Sequence, residues 1–552
     1  MRQPPCDSGD FVTPAGLLCQ AAFGRIGKTS LAKGFLRWLE STGGLRERVF
    51  WFNFQEIHSV EYIIDQMLSV LAGISAMAKP MVEKLPVLAK LLRDKPYLLI
   101  WDNFESASGI EGTEIKPQLS AEDRNILAQL LKKLRGGKTK MLITSRNREG
   151  WLQIQSCYRL PLGGLTGEDL WEYCNAVVRD LGLTLDREDK TYAGILEKLC
   201  GNPLAIRAIL LRLQDCSATQ LLAELESSFE GMEGDESTRR LDAAYMVFGK
   251  GLTERFLPVL QLTGLYEYYL DADYTKAMLD SAGNSVEADL IDCCYHILEN
   301  AGFCTHIGQN IYRLHPALRG YLLRQTPAAA SVQKGFVDIM GRLADSLVRK
   351  PLHEVRYAYQ INTANFYYAR RLAEVHKMNI DYMALTQSLA HHAQEMRRFE
   401  EANKLYTALA EWANSYNGWD SVAMALHQRG IIAQEQRDFA AAEAWYKKSL
   451  AIKKKQGNEY GVAGAYHQLG RIAEERRDFP RAADLYLKAL KILADANDPY
   501  NLMITIRSYA RLLHDAAGTE RNQLRERWSK YMDQELTKIL EQMEVELYGT
   551  GN

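Results

Sequence analysis

Hydrophobic residues in the first 160 positions come in short runs, and stretches with helical spacing separate several of them. The runs GLLCQA, RVFWFNF, YLLIWDN and KMLITSR are too short, and too rich in bulky or β-branched side chains, to favour helices. They predict strands instead. Because strands that alternate with helices form parallel sheets covered on both faces, we expect an α/β domain over residues 1–160.

The pattern changes twice in the middle of the chain. Residues 161–234 have helical spacing throughout, which predicts a helical domain. Residues 235–328 are mixed: a helix, two short extended runs around the turn IGQN, and a further helix predict a small winged-helix domain. Residues 329–384 follow as a helical linker.

A forty-residue repeat organises the chain after residue 384. The segments HQRGIIAQEQRDFAAAEAWYKKSLAI and HQLGRIAEERRDFPRAADLYLKALKI are nearly identical. A shift of forty positions superposes alanines and tyrosines of three copies, namely Ala402, Ala442 and Ala482, and Tyr406, Tyr446 and Tyr486. Small residues at a helix crossing, followed by an aromatic residue, predict a helix–turn–helix unit that buries its face only by stacking.

This unit resembles the tetratricopeptide repeat in its forty-residue variant, with Gly430, Gly470 and the turn RDF also matching. The resemblance is strong over 385–495, continues to 515 with a degenerate helix near 502–514, and implies a solenoid whose concave groove binds a protein or peptide ligand. A purely structural stack is the alternative. Apolar residues spaced by three to five within 516–552 predict an amphipathic C-terminal helix that caps the solenoid.

Composition narrows the classes of function. The 552 residues carry 67 Lys and Arg against 69 Asp and Glu, so no net field favours nucleic acid or a membrane surface. No apolar run approaches the roughly 18–20 residues of a membrane span, and the N-terminus lacks the layout of a secretory signal. Nine scattered cysteines suit the cytoplasm, the predicted location. A cluster of cysteines and histidines lacks the spacing of zinc ligands, and we interpret these residues as part of a packed core: Cys293, Cys294, His296, Cys304 and His306.

The segment AAFGRIGKTSLA, residues 21–32, has the composition of a phosphate-binding loop. Gly24 and Gly27 leave backbone N–H groups free to close on phosphate oxygens, Lys28 supplies positive charge, and the Thr29 hydroxyl suits magnesium. The following SLAKGFLRWLE predicts a helix whose N-terminal dipole favours an anion. Ala22 stands where the pattern has its first glycine.

Two of the later predicted strands end in charged residues. The run YLLIWDNFES places Asp102 at a strand end, where magnesium-bound water needs a carboxylate. Glu105 is a candidate for orienting water. The run KMLITSRNREGW ends in Arg146, which can reach a γ-phosphate. These residues predict a catalytic set of Asp102, Glu105 and Arg146, with Thr29 and Asp102 at magnesium.

The order of these motifs, followed by CGNPLAIRAI and YRLHPALRGYL, resembles the signal transduction ATPases with numerous domains (STAND), in particular the NB-ARC branch. The resemblance covers about residues 15–325. It implies an α/β P-loop NTPase domain, an all-α helical domain and a winged helix, with Pro203 beside adenine and His315 at the ADP β-phosphate. The implied nucleotide-binding residues are Gly24, Arg25, Ile26, Gly27, Lys28, Thr29, Ser30, Pro203 and His315.

The same resemblance implies an ATP/ADP switch and at most a slow magnesium-dependent ATPase. ADP would hold a closed monomer; ligand on the repeats would favour ATP entry and a homo-oligomer that acts on a separate effector protein. The family carries an adenine-contacting segment that twenty preceding residues cannot hold, so we expect a truncated chain, a split system or a solo switch. Two alternatives stay open: a winged-helix regulator that uses Arg319 and Arg324 on DNA, and a nucleotide-inactive repeat scaffold.

Overall fold

The computed structural model describes residues 17–21, 27–45, 47–55, 57, 59–73, 76, 79–110, 117–152, 157–229, 236–250 and 252–548. The chain divides into two compact units, residues 1–385 and residues 386–552. Among the described residues, no helix has the length and apolar composition that a membrane span requires.

The first unit begins with a parallel sheet whose strand order is β2-β3-β4-β1-β5. Its strands are β1 (Leu17–Ala21), β2 (Val49–Asn53), β3 (Leu98–Asp102), β4 (Lys140–Ser145) and β5 (Cys157–Arg159). Its helices are α1 (Lys28–Ser41), α2 (Val60–Leu71), α3 (Met81–Asp94), α4 (Glu105–Ser108) and α5 (Ala121–Leu134). The four runs that predicted strands are therefore strands.

Helices cover both faces of this sheet, because successive side chains of a strand point to opposite faces. Leu99 and Trp101 of β3 lie in one buried cluster with residues of α2, α3 and α5. Ile100, between them, packs on the other face with Ala32 of α1 and Leu142 of β4. The sheet is thus buried on both sides, and its carboxyl-terminal ends meet at one edge.

The rest of the first unit is mainly helical. It contains α6 (Gly167–Arg179), α7 (Lys190–Leu199), α8 (Pro203–Leu211), α9 (Ala218–Phe229), α10 (Glu236–Gly249), α11 (Leu252–Thr263), α12 (Ala272–Ser281), α13 (Ala288–Asn300), α14 (Pro316–Gln325), α15 (Ala330–Val348) and α16 (Leu352–Val375). A helix α17 (Asn379–Glu395) spans the division between the two units.

A small antiparallel sheet lies among these helices, in the order β6 (Tyr269–Asp271), β8 (Ile311–Leu314), β7 (Cys304–Gly308). The two extended runs predicted around IGQN form the hairpin β7–β8. Gln309 and Asn310 at its turn have φ of 49° and 55°, as a two-residue turn that matches strand twist requires. Strand β6 did not appear in the sequence pattern, because three residues are too few to show alternation.

The second unit consists of paired helices. They are α18 (Phe399–Asn414), α19 (Trp419–Glu435), α20 (Phe439–Lys455), α21 (Glu459–Glu475), α22 (Phe479–Asp495), α23 (Pro499–Asp515), α24 (Gly518–Tyr531) and α25 (Gln534–Tyr548). Within a pair, a glycine of the first helix meets a tyrosine of the second: a Cβ on Gly430 would lie 2.6 Å from Cε1 of Tyr446, and one on Gly470 equally close to Tyr486. The repeated glycines thus allow the close helix crossing.

The predicted C-terminal helix is two helices. The break falls at Met532 and Asp533, where the Asp533 carboxylate accepts a hydrogen bond from the Leu536 N–H at 2.8 Å. Asp is a favoured cap, so it starts a new helix there. Both helices contribute to the core that ends the repeats, since Trp528 and Leu540 lie buried in one cluster with residues of α22 and α23. The predicted fold class, a parallel α/β region followed by a mostly helical chain with repeats, is confirmed.

Candidate functional site: the carboxyl edge of the parallel sheet

Helix α1 starts at this edge with a backbone that favours glycine. Gly27 precedes the helix at φ +91°, and its carbonyl accepts the Leu31 N–H at 2.8 Å. Lys28 is the first helical residue and is buried, Thr29 is half-buried, and Ser30 is exposed. The first-turn N–H groups and the helix dipole favour an anion here. Gly24, Arg25 and Ile26 lie outside the described residues.

Thr29 and Asp102 meet across the edge. The Thr29 hydroxyl lies 3.0 Å from Oδ1 and 2.9 Å from Oδ2 of Asp102, whose side chain is buried. Thr144, at the end of β4, donates its hydroxyl to Asp102 Oδ1 at 2.5 Å. The structure therefore brings together the two residues predicted to lie at magnesium, although 73 positions separate them.

The Thr29–Asp102 pair fits a magnesium ion in donor chemistry. Magnesium prefers hard oxygen ligands. A threonine hydroxyl and a carboxylate oxygen are such ligands, and here the hydroxyl is hydrogen-bonded to the carboxylate at 2.9–3.0 Å, so the two side chains lie close enough to serve one ion. Thr29 and Asp102 are the residues that could hold the ion.

Asn103 fixes the turn that follows Asp102. Its backbone is left-handed at φ +53°, a conformation that asparagine tolerates better than most residues. Its N–H donates to the Thr144 hydroxyl at 3.0 Å, and its side-chain amide donates to Asn53, at the end of β2, at 3.0 Å. The end of β3 is thereby tied to both neighbouring strands.

Glu105 and Arg146, the other two predicted catalytic residues, are also together. The Arg146 Nε lies 3.0 Å from Glu105 Oε1, and the Arg146 backbone N–H donates to Glu105 Oε2 at 3.2 Å. The Glu105 side chain is 1% exposed and that of Arg146 20% exposed. One carboxylate therefore holds both the guanidinium and the backbone of the arginine.

A second buried carboxylate, Glu149, closes the loop that carries Arg146. It accepts the Ser145 hydroxyl at 2.5 Å, the Trp151 indole N–H at 2.6 Å and the Ser108 hydroxyl at 3.4 Å. Its backbone has φ +47°. Burial raises the pKa of the Glu149 carboxyl, with a further contribution from nearby Glu105, while the hydrogen bonds from Ser145 and Trp151 act to lower it.

Thr144, Asn53 and Glu149 were missed by the sequence analysis. Thr144 directly precedes Ser145 and Arg146 in a predicted strand end, and Asn53 ends the neighbouring predicted strand RVFWFNF. Polar residues at the ends of parallel strands are a signal that could have found both. Glu149 lies in a loop and had no such signal.

Pro203 and His315 are positioned by contacts within their own parts of the first unit. Pro203 is the first residue of α8, after Asn202, whose side chain caps the helix, and the Tyr173 hydroxyl donates to its carbonyl at 2.9 Å. His315 follows β8, and its N–H donates to the Phe303 carbonyl at 2.8 Å. Their approach to the phosphate loop stays a prediction.

The two arginines of the DNA alternative are held by acidic residues. Arg319 forms an ion pair with Glu267 at 3.0 Å, and Arg324 with Asp242 at 2.8 Å. Both pairs are largely buried or half-buried. Their charges are therefore directed into the protein rather than presented together on a surface.

The second unit contains a cavity of about 410 Å³ between α19 and α21. Its lining mixes charged, amide and apolar side chains, namely Ile431, Gln434, Glu435, Arg437, Phe439, Gln468, Arg471 and Glu475. Equivalent positions of successive repeats contribute to it: Glu435 and Glu475 are forty residues apart, as are Ile431 and Arg471. The stacking of the repeats thus creates this cavity.

Comparison with known protein families finds a match within the repeats. The tetratricopeptide repeat family matches residues 382–455. Among curated proteins, no sequence match was found.

Three solved structures show a distant likeness to this chain. A STAND protein with a tetratricopeptide repeat sensor from Pyrococcus horikoshii is 15% identical, with a TM-score of 0.43 over 97% of this chain and 82% of that one. A Walker-type ATPase of Pyrococcus abyssi is 12% identical, with a TM-score of 0.28 over 56% and 91%. The Aeropyrum pernix ORC2 protein, solved as ADPNP–ADP complexes, is 16% identical, with a TM-score of 0.25 over 58% and 89%.

Likenesses this distant say nothing about activity. The chain's own parallel sheet, with Gly27, Thr29 and Asp102 at its carboxyl edge, and its matched repeats carry the assignment of architecture. At the level of fold, the predicted organisation is confirmed: a parallel α/β region is followed by a mostly helical chain whose residues 382–455 match the tetratricopeptide repeat family.

Proposed function

We propose that this protein is an ATP/ADP-binding signal transduction switch of the STAND type, with NB-ARC organisation, whose repeats sense a protein or peptide ligand. The observation that carries the proposal is the contact of Thr29 with buried Asp102 at the N-terminus of α1. A helix N-terminus that begins with Gly-Lys-Thr and faces a buried carboxylate is suited to phosphate and magnesium together.

Each residue at this edge has a task that follows from its chemistry. Lys28 and the first-turn N–H groups of α1 bind the phosphates, and Thr29 and Asp102 hold magnesium. The bound ion would neutralise phosphate charge. Glu105 orients water and Arg146 recognises the γ-phosphate, the group that distinguishes ATP from ADP.

We further propose that Pro203 packs beside adenine and that His315, in the predicted winged helix, contacts the β-phosphate of ADP and keeps the protein closed. Ligand capture by the repeats favours the open form, in which ATP enters and the protein forms a homo-oligomer that acts on a separate effector. Hydrolysis is slow and resets the switch. The scattered free cysteines favour a reducing compartment, so we place the protein in the cytoplasm.

Nucleotide binding is tested with Lys28→Ala and the matched control Lys33→Ala, an exposed lysine of the same helix. Mass spectrometry of nucleotide released from the purified protein is expected to detect ADP. Calorimetric titration with ADP is expected to show about a 100-fold loss of affinity in Lys28→Ala, because one charge-assisted phosphate contact is removed, and no loss in Lys33→Ala.

Failure of the wild-type protein to bind ADP or ATP would contradict the proposal and favour the nucleotide-inactive scaffold. Equal affinities of wild type and Lys28→Ala would contradict the predicted phosphate site. Light scattering with and without ATP tests assembly: a larger mass with ATP is expected for the wild type and not for Lys28→Ala.

A further inference from the structure

Glu105 and Arg146 make two contacts with each other, and both residues are predicted to act on the nucleotide. The guanidinium lies 3.0 Å from one carboxylate oxygen and the backbone N–H lies 3.2 Å from the other. An arginine held in this way has its charge compensated by the protein. A carboxylate held in this way has both oxygens engaged, so it is not free to orient water.

The surroundings make this ion pair strong. Glu105 is almost fully buried and Arg146 is four-fifths buried, so water screens the pair little. The Arg146 Nε–H is not aligned for a hydrogen bond to Glu105, so the attraction between the two side chains is that of an ion pair at 3.0 Å. A γ-phosphate that recruits Arg146 must therefore compete with Glu105.

The backbones on both sides of the pair are fixed. Trp151 stacks on Phe104, the residue before Glu105, with ring centroids 5.6 Å apart and planes 23° apart. The same indole donates to Glu149, which also holds the Ser145 hydroxyl next to Arg146. Because Glu149 and Trp151 hold the two backbone segments together, any change of partner is confined to the side chains of Glu105 and Arg146.

We propose that Glu105 and Arg146 form a latch: Glu105 holds Arg146 in the resting protein, and Arg146 exchanges Glu105 for the γ-phosphate when ATP binds. Glu149 is a positioning residue that keeps the two segments in place. The exchange couples recognition to chemistry, because Glu105 becomes free to orient water only once Arg146 has left it. This inference rests on the proposed function and adds a regulatory contact to the same site.

The latch predicts that a substitution of Glu105 changes the ratio of the affinities for ATP and ADP. A merely structural role of Glu105 would leave this ratio unchanged. Kd values for ADP and for a non-hydrolysable ATP analogue, both with magnesium, are measured by calorimetry for the wild type and for Glu105→Gln. The analogue is expected to gain about tenfold relative to ADP in Glu105→Gln, since the neutral amide competes less well for the guanidinium.

Two further variants separate the effect of the Glu105–Arg146 contact from the effect of the negative charge on Glu105. Glu105→Asp keeps the negative charge but shortens the side chain, so the latch predicts a smaller gain for the analogue and a pure charge effect predicts none. In an Arg146→Ala background, Glu105→Gln is expected to leave the ratio unchanged, because there is no guanidinium left to release. Melting temperatures check that each variant is folded.

The outcomes distinguish this inference from the proposed function. If the wild type binds both nucleotides and Glu105→Gln leaves their ratio unchanged, the latch is wrong and the switch stands. If Glu105→Gln changes the ratio equally with and without Arg146, the effect is one of charge and the latch is also wrong. If the wild type binds neither nucleotide, the proposed function itself fails.

Discussion

The carboxyl edge of the parallel sheet and the repeats use buried residues in opposite ways. At the edge, single polar side chains from distant positions meet once: Thr29 reaches Asp102 across 73 positions and Thr144 reaches it across 42. In the repeats one contact recurs every forty residues, as in Gly430 with Tyr446 and Gly470 with Tyr486.

The two regions therefore differ in how far the loss of stability caused by a substitution extends. A buried polar group needs its partner, because an unsatisfied one costs about 1–3 kcal/mol of folding free energy. The edge therefore depends on every member of its network. A repeat contacts mainly its neighbours, so damage stays local while the remaining units keep their contacts.

The largest effect on stability is expected for Gly470→Ala in the repeats. The new Cβ would lie 2.6 Å from the ring of Tyr486, which is buried and bonded to Glu474, so the ring cannot easily move. Overpacking should cost about 2 kcal/mol of local stability. Hydrogen exchange followed by mass spectrometry on the full chain is expected to show faster exchange in α21 and α22.

Gly464→Ala is the matched control, in the same helix. Gly464 is exposed, and a Cβ there would meet nothing within 4 Å. Alanine is the better helix former, so this variant should slow exchange in α21, by about 0.5–1 kcal/mol of stability. Equal effects of the two substitutions would contradict the role of the glycine in helix crossing.

A somewhat smaller effect on stability is expected for Thr144→Val at the carboxyl edge of the parallel sheet. Valine keeps the shape of the buried side chain but neither donates to Asp102 nor accepts from the Asn103 N–H. The cost should be about 1–2 kcal/mol, confined to the end of β3, with weaker ADP binding. The exposed Thr42→Val serves as the control. Faster hydrogen exchange in the repeats, without faster exchange around Asn103, would contradict the predicted contrast between the two regions.

The smallest loss of stability per residue is expected when two histidines at equivalent positions of successive repeats, His427 and His467, become protonated. Burial lowers the pKa of His427 to about 4, assisted by Lys453, and that of His467 to about 4, assisted by Arg471 and Arg511. Because these values lie below about 6.5 in the unfolded chain, the stabilisation is present above pH 6.5 and is lost as the pH falls towards 4. The loss should be about 1 kcal/mol per histidine by about pH 5.5.

This prediction is checked by hydrogen exchange of the repeats at several pH values, corrected for intrinsic exchange rates. His427→Gln and His467→Gln are each expected to flatten the pH dependence. His353→Gln, which alters a side chain 81% exposed, should not. If the double variant keeps the slope of the wild type, carboxylates rather than these histidines dominate the pH dependence of stability. Glu443 is one such carboxylate, because its ion pairs lower its pKa to about 2.

Local pattern was enough to predict the elements and the candidate chemistry. The period of forty predicted the repeat, since each unit carries the small and aromatic residues of its own helix crossing. Short apolar runs predicted the strands, and the charged residues at their ends predicted Asp102, Glu105 and Arg146 as a set. The C-terminal helix break was missed because the apolar spacing continues through Asp533, which caps a new helix only in the folded chain.

The sequence by itself determined which residues stand at strand ends and helix starts, because period and turn chemistry are local. Only the tertiary structure decided which of them touch. Placing β4 between β1 and β3 sets Thr144 beside Asp102 and Arg146 beside Glu105. Strand order depends on how helices cover the two faces of the sheet, an interaction between distant segments that no local pattern records.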